Sequence, residues 1–313
     1  MIKLSFRILF SFILLLGFEY CALSQKMNGF DLSDSKIPIE LIKQGGPPKD
    51  GIPALTRPKL ISANEARYLK ANDKVIGVSM QGEHRAYPIK LLNYHEIVND
   101  QIGSTAIVVS YCPLCGSALV FSSIFNSQKL EFGVSGLLYN SDVLMYDKQT
   151  NSLWSQLMLE AISGTMKGQK LHFIASEQTT WGSWKNQHPK SKVLSDKTGF
   201  TRDYNKNPYQ GYANVPTLYF PVTAESYVIP AKEQVLGVEI DGKFKAYSFT
   251  ELSKVGHPFN DRFNGVDYTI QFDTVNRSAK ITNASEPIIY LTSFWFAWYA
   301  FHPATEVYNY QNR

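Results

Sequence analysis

Cysteine is scarce in this sequence. There are three in 313 residues, and one of them, Cys21, lies in the N-terminal apolar stretch. Only Cys112 and Cys115 remain for the body of the chain. That excludes a scaffold of several disulfides. It also excludes a structural zinc site with four cysteine ligands, because no second pair completes the CxxC. Long apolar runs are missing after residue 24, so no later segment offers the roughly 20 apolar residues of a transmembrane helix. Runs of one charge are missing too. The net charge is +4, part of it at the N-terminus. No basic run alternates with aromatics, which argues against a nucleic-acid partner.

What the sequence does have begins at the N-terminus. Lys3 and Arg7 precede an apolar run from Ile8 to Phe18, broken only by Ser11 and Gly17. Ala22 and Ser24 are the small residues before a cleavage point at Gln25. Residues 1–24 therefore read as a signal peptide, and the mature protein is expected in an oxidising, periplasmic or extracellular compartment. The bulky and polar Phe18, Glu19 and Tyr20 argue against a lipoprotein site at Cys21. Hydrophobic residues make up 44% and aromatics 13%, enough to build the core of one large domain or two small ones.

The chain also repeats itself. VIGV at 75–78 is followed by Gly82, Ala86-Tyr87, Asn99-Asp100 and Gly103. VLGV at 235–238 is followed by Gly242, Ala246-Tyr247, Asn260-Asp261 and Gly265. Trp181, Trp184, His188-Pro189 and Val193 then match Trp295, Trp298, His302-Pro303 and Val307 without a gap. The first copy carries a long insert between Asp100 and Trp181. The insert holds both cysteines, so the first copy looks like the working half.

Strand signals dominate. Residues 74–79 and 86–87 read as strands joined at Gln81-Gly82, and Pro88 as the start of a helix reaching 98. Residues 105–111 and 118–121 read as a strand and its return. Residues 130–138, 143–146 and 152–156 read as antiparallel strands. There is no steady βαβ alternation. The expected fold is α+β, rich in antiparallel sheet, in two related lobes. Residues 25–60 form an extended lead-in, 61–215 the first lobe with its CxxC insert, and 216–313 a shortened second lobe.

The motif with chemistry is Tyr111-Cys112-Pro113-Leu114-Cys115-Gly116-Ser117. A strand delivers Cys112, Pro113 fixes φ, and Gly116 permits a sharp turn. Two thiols so spaced can close a small disulfide, cycle as a redox dithiol, or grip one metal ion. His95 is the nearest partner in sequence. On a helix from 88 it shares a face with Leu91, Leu92 and Val98, and a buried histidine needs a hydrogen-bond partner or a metal. Cys112, Cys115 and His95 are therefore the candidate ligands, for copper or zinc by donor type. Glu96, Asn140 and Asp142 are the candidate residues around them, although Asx residues near a turn have a plainer explanation in turn chemistry. The Trp-x2-Trp-x3-His-Pro blocks occur in both copies, one of which has no cysteines. They read as packing, with each histidine in a last helical turn where the dipole favours a cation. No residue is identified as catalytic.

The blocks AYPIKLLNYHEIVND, SYCPLCGSALVF, FGVSGLLYNSDVLMYDKQTNSLWSQL and FWFAWYAFHP resemble the DUF3179 family of exported prokaryotic proteins, over residues 53–307. The resemblance implies export but little about activity, since the family is named for having no assigned function. Relatives with threonine at the second cysteine of the turn would imply that a two-cysteine redox cycle is not the shared role. A site using Cys112 and His95 survives that change. Three readings stand: a metal-binding protein, a thiol–disulfide oxidoreductase using Cys112 and Cys115, and a ligand-binding module with a structural disulfide. Substrate and partner are not indicated.

Overall fold

The computed structural model describes residues 25–312; the signal peptide read over 1–24 lies outside them. Strands account for 41% and helices for 11%. The strands form five main sheets in a five-bladed β-propeller arrangement, with two two-stranded ribbons beside them. This corrects the expected α+β fold of two lobes. Among the described residues the helices are too short to form a layer: the longest, such as Ile89–His95, have seven residues. The helix expected over 88–98 stops early because Glu96 takes a φ of 55°. The β-branched Ile97 and Val98 then continue as a strand.

Blade I has the order Ser176–Thr180, Lys74–Met80, Glu83–Pro88, Lys192–Leu194, Leu60–Ser62. Blade IV repeats it as Ile289–Phe294, Gln234–Ile240, Lys243–Ser248, Glu306–Val307. The hairpin turns of both, Gln81-Gly82 and Asp241-Gly242, have positive φ at each position, as a two-residue type I′ turn requires. Blade II is built on the meander Ile97–Ile102, Thr105–Cys112, Ser117–Ser122, and blade V on Phe259–Phe263, Val266–Asp273, Ser278–Thr282. Each copy of the repeat is thus a pair of blades. Blade III comes from the insert, with Phe132–Tyr139, Asp142–Asp147 and Leu153–Ser155 at its centre. The extended stretch that precedes blade I adds strands to three blades. Ile42–Gln44 pairs with blade III, Leu55–Thr56 with blade II, and Leu60–Ser62 with blade I.

The copies do not separate into lobes because strands of each pack on strands of the other reciprocally. Ser117–Ser122 of blade II packs on Ile289–Phe294 of blade IV. Its counterpart in blade V, Ser278–Thr282, packs on Ser176–Thr180 of blade I. One apolar cluster accordingly joins Ile97, Phe121 and both cysteines to Val235, Phe294 and Trp298.

Two devices explain the repeated sequence. Tyr87 donates to Asp100 at 2.8 Å and Tyr247 to Asp261 at 2.6 Å. Arg85 and Lys245 place a cation on the same carboxylates at 2.7 and 2.8 Å. The Ala-Tyr and Asn-Asp signatures therefore tie blade I to II and blade IV to V. The second device is a tryptophan laid across a strand glycine. A Cβ on Gly77 would lie 2.2 Å from the Trp184 ring, and one on Gly237 2.3 Å from Trp298. Both indoles are 2% exposed and donate to Ser191 and Thr305 at 2.9 and 3.0 Å. Their helices, Trp181–Gln187 and Trp295–Phe301, end at the caps His188 and His302. These histidines are not held as cations by the helix dipole. Burial lowers the pKa of His188 and pushes that of His302 down to about 3. Among the described residues, no helix is long and apolar enough to cross a membrane.

Replacing Trp298 with Ala should lower unfolding stability by about 3–5 kcal/mol, through a cavity over Gly237. Tyr87→Phe should cost about 1–3 kcal/mol, through loss of a hydrogen bond to a charged group. Denaturant titration of each variant checks both. An unchanged midpoint for Trp298→Ala would mean that the indole is not a structural wedge.

Candidate metal centre

The strands Thr105–Cys112 and Ser117–Ser122 form a hairpin closed by Pro113, Leu114, Cys115 and Gly116, with Cys112 opposite Ser117. Gly116 turns the chain with a φ of 59°, and a Cβ there would press on the Phe294 ring at 3.1 Å. The tip is clamped from two sides. The Phe294 N–H donates to the Cys115 carbonyl at 2.8 Å, and the Gln178 side chain donates to the Gly116 carbonyl at 3.2 Å. Cys112 and Cys115 are buried free thiols.

A second hairpin faces the first. Asn140 and Ser141, with φ of 50° and 63°, make a two-residue turn between Phe132–Tyr139 and Asp142–Asp147. The side chain of Asn140 donates to the Ala300 carbonyl at 3.1 Å and accepts from the Thr223 N–H at 2.8 Å. It anchors the turn rather than reaching the cysteines. Asp142, the first residue of the strand and 0% exposed, does reach them. One ligand atom from each of Cys112, Cys115 and Asp142 lies within 4.8 Å of the others. Asp142 Oδ2 accepts from the Leu157 N–H at 3.0 Å. The adjoining Gln156 accepts from Ser117 at 2.5 Å and donates to Ser110 at 2.9 Å, which fixes Leu157 in place. Asp142 Oδ1 is buried and has no hydrogen bond of its own. A buried acceptor left so costs about 1–3 kcal/mol, more if it is charged.

The electrostatics follow from burial. Asp142 is pushed up to about 7 by desolvation, against the opposing pull of the Leu157 and Val143 N–H groups and of both thiols. Glu96, the cap of the helix Ile89–His95, is pushed up to about 8 by desolvation and by repulsion from Asp142. Burial also raises both thiols, Cys115 most strongly. Burial thus favours the protonated form of each group, and a cation would favour proton release.

His95 is not part of this cluster. Its Nδ1 pairs with the Pro53 carbonyl and its Nε2 with the Tyr204 hydroxyl, both at 2.7 Å. Tyr204 in turn pairs with Thr198 at 2.6 Å. The histidine is buried and both ring nitrogens are engaged by protein, so it fastens the lead-in to the segment after blade I. The expected set of Cys112, Cys115 and His95 is therefore not what the fold brings together; Asp142 stands in the third place. The sequence reading placed Asp142 around the site; the signal for a ligand is an acid that opens a buried strand directly after the Asn-Ser turn.

Beside the cluster lies a cavity of about 170 Å³. Cys112 and Glu96 stand in its wall with Ile52, Val134, Leu138 and Tyr209. The stretch that follows Leu194, to which the sequence reading assigned no role, adds Tyr219 and Phe220 to the wall. Its Tyr212 is buried near both thiols with an unpartnered hydroxyl, under the Lys232 ammonium 3.3 Å from the ring centroid.

Fold and site together define a five-bladed β protein with a buried Cys-Cys-Asp cluster at the junction of its repeated halves. A family model described as "Protein of unknown function (DUF3179)" matches residues 49–305, and the chain belongs to that family. No curated protein and no solved structure matches it.

The raised carboxyls give a pH test. Their ordinary values are 3.8 and 4.5, and in the fold they are about 7 and about 8. Across that window the folded state keeps protons that the unfolded state has lost, so stability falls as pH rises. The metal-free protein should melt at a lower temperature at about pH 8 than at about pH 5, and Asp142→Asn should flatten the dependence. A flat profile for the unaltered metal-free protein would contradict the burial of these groups.

Proposed function

We propose that Cys112, Cys115 and Asp142 bind one zinc ion in an exported protein. The observation that carries this reading is a fully buried aspartate, one oxygen of which lies within 4.8 Å of two buried thiol sulfurs while its Oδ1 has no hydrogen bond. Around tetrahedral zinc, sulfur and oxygen ligands stand about 3.5–3.8 Å apart, given bond lengths near 2.3 and 2.0–2.2 Å. The three groups therefore need only a small contraction to close on an ion. The carboxylate oxygen, a hard donor, favours zinc over copper(I), which prefers sulfur alone. A thiol–disulfide cycle is less well supported. Cys112 ends a strand instead of opening a helix, and burial raises both thiols, the reverse of an activated cysteine. The N-terminal sequence supports work outside the cytoplasm.

Elemental analysis of the mature protein, purified from its native compartment without chelator, should find one zinc per chain. Cys112→Ser or Asp142→Ala should weaken binding by more than the roughly 10–100-fold that loss of an outer hydrogen-bond partner costs. His95→Ala should keep the ion and lose stability. Absence of metal, with no free thiol in the denatured protein, would leave a disulfide in place of the zinc site. Export is checked separately: N-terminal sequencing of the mature chain should begin at Gln25, and an N-terminus at Met1 would refute it.

A further inference from the structure

We infer that the cavity beside Cys112 holds a small, mostly apolar molecule that offers a neutral azole nitrogen to the metal. The inference rests on the zinc reading. Three protein donors leave a fourth position on a tetrahedral ion, the pattern of zinc sites that take an external ligand rather than of closed structural ones. Of the three donors, Cys112 also borders a cavity, and the inference places the fourth position on that side. No other described His, Cys, Asp or Glu joins the three within the 4.8 Å grouping.

The cavity states the size and character of the occupant. Its volume is about 170 Å³, and an apolar cavity of about 150 Å³ suffices to take up benzene. Ile52, Val134, Leu138 and Phe220 make its sides apolar. Charge selects the donor. Two thiolates and one carboxylate outweigh a divalent ion by one unit, and Glu96 adds no positive charge, so an anionic ligand would be repelled. A neutral nitrogen is not. Glu96, the carboxyl in the wall, can accept a hydrogen bond from the second nitrogen of an azole whose first nitrogen meets the metal. Such a ring has one donor, one N–H and an apolar edge, which are the three features the cavity presents.

The test uses the full mature chain with cobalt(II) in place of zinc, so that the coordination sphere is visible by absorption. Imidazole is titrated as a probe that fits, and 2-phenylimidazole as one too large for the cavity. Imidazole should shift the cobalt bands saturably, and the larger probe should bind at least about tenfold more weakly. Leu138→Phe, which fills the cavity from a half-buried position, should weaken imidazole by about tenfold or more while retaining one cobalt per chain. If that variant fails to fold, Ile52→Phe enlarges another residue of the same wall. Failure of the unaltered chain to bind cobalt would overturn the zinc reading and this inference with it. Cobalt bound with bands that imidazole leaves unmoved would overturn the inference and leave the zinc reading standing. The same holds if both probes bind equally or the filled variants bind imidazole normally.

Discussion

The segment from Ile289 to Phe301 in the second copy is the support on which the site depends. Phe294 donates its N–H to Cys115, and the Ala300 carbonyl accepts from Asn140. These two bonds seat the tips of two hairpins from two different blades against one strand–helix junction. The cysteines and Asp142 are separated by a long stretch of chain, and each hairpin tip taken alone would be free to splay. Fixed to a common support, they converge. The shortened second copy, which lacks cysteines, is thus a structural half that positions the chemistry of the first.

That division of labour follows from how the sheets are covered. Within each copy the two blades share an apolar core, with Ile76 and Tyr87 against Val109 in the first and Leu236 and Tyr247 against Ile270 in the second, and a further contact joins the copies. Ser117–Ser122 lies on Ile289–Phe294, and Ser278–Thr282 on Ser176–Thr180, a reciprocal contact like that of an isologous dimer. Within each copy, the Tyr-to-Asp hydrogen bond and the tryptophan over its glycine are preserved nearly atom for atom. The packing positions of the repeat are those that must satisfy both constraints. The insert within the first copy, between Asp100 and Trp181, escapes them and supplies blade III with Asp142.

The site holds its acidic groups under strain of a defined kind. Asp142, Glu96 and two thiols are gathered where desolvation opposes every negative charge. A buried carboxylate with one oxygen unpaired is tolerated when something compensates it. An ion between Asp142 and the sulfurs would do so and convert the least favourable feature of the structure into its tightest cluster of bonds.

Local pattern determined much of this from the sequence alone. The hairpins at Gln81-Gly82 and at the CPLCG turn, the strands of blade III, the repeat and the buried tryptophans were legible because alternation, turn residues and helical spacing act over a few residues. The blade arrangement was not legible, since short strands of this kind suit either lobes or blades until their faces are paired. His95 was legible as buried but not as satisfied. Its partners, Pro53 and Tyr204, lie 42 and 109 positions away in the chain. Asp142 was expected around the cysteines but not among the ligands, because only the folded backbone brings residue 142 to residues 112 and 115 and withholds a partner from Oδ1. Sequence determined which residues are inside. Tertiary structure decided which of them meet, because convergence across blades rests on hydrogen bonds and packing between segments that no local signal connects.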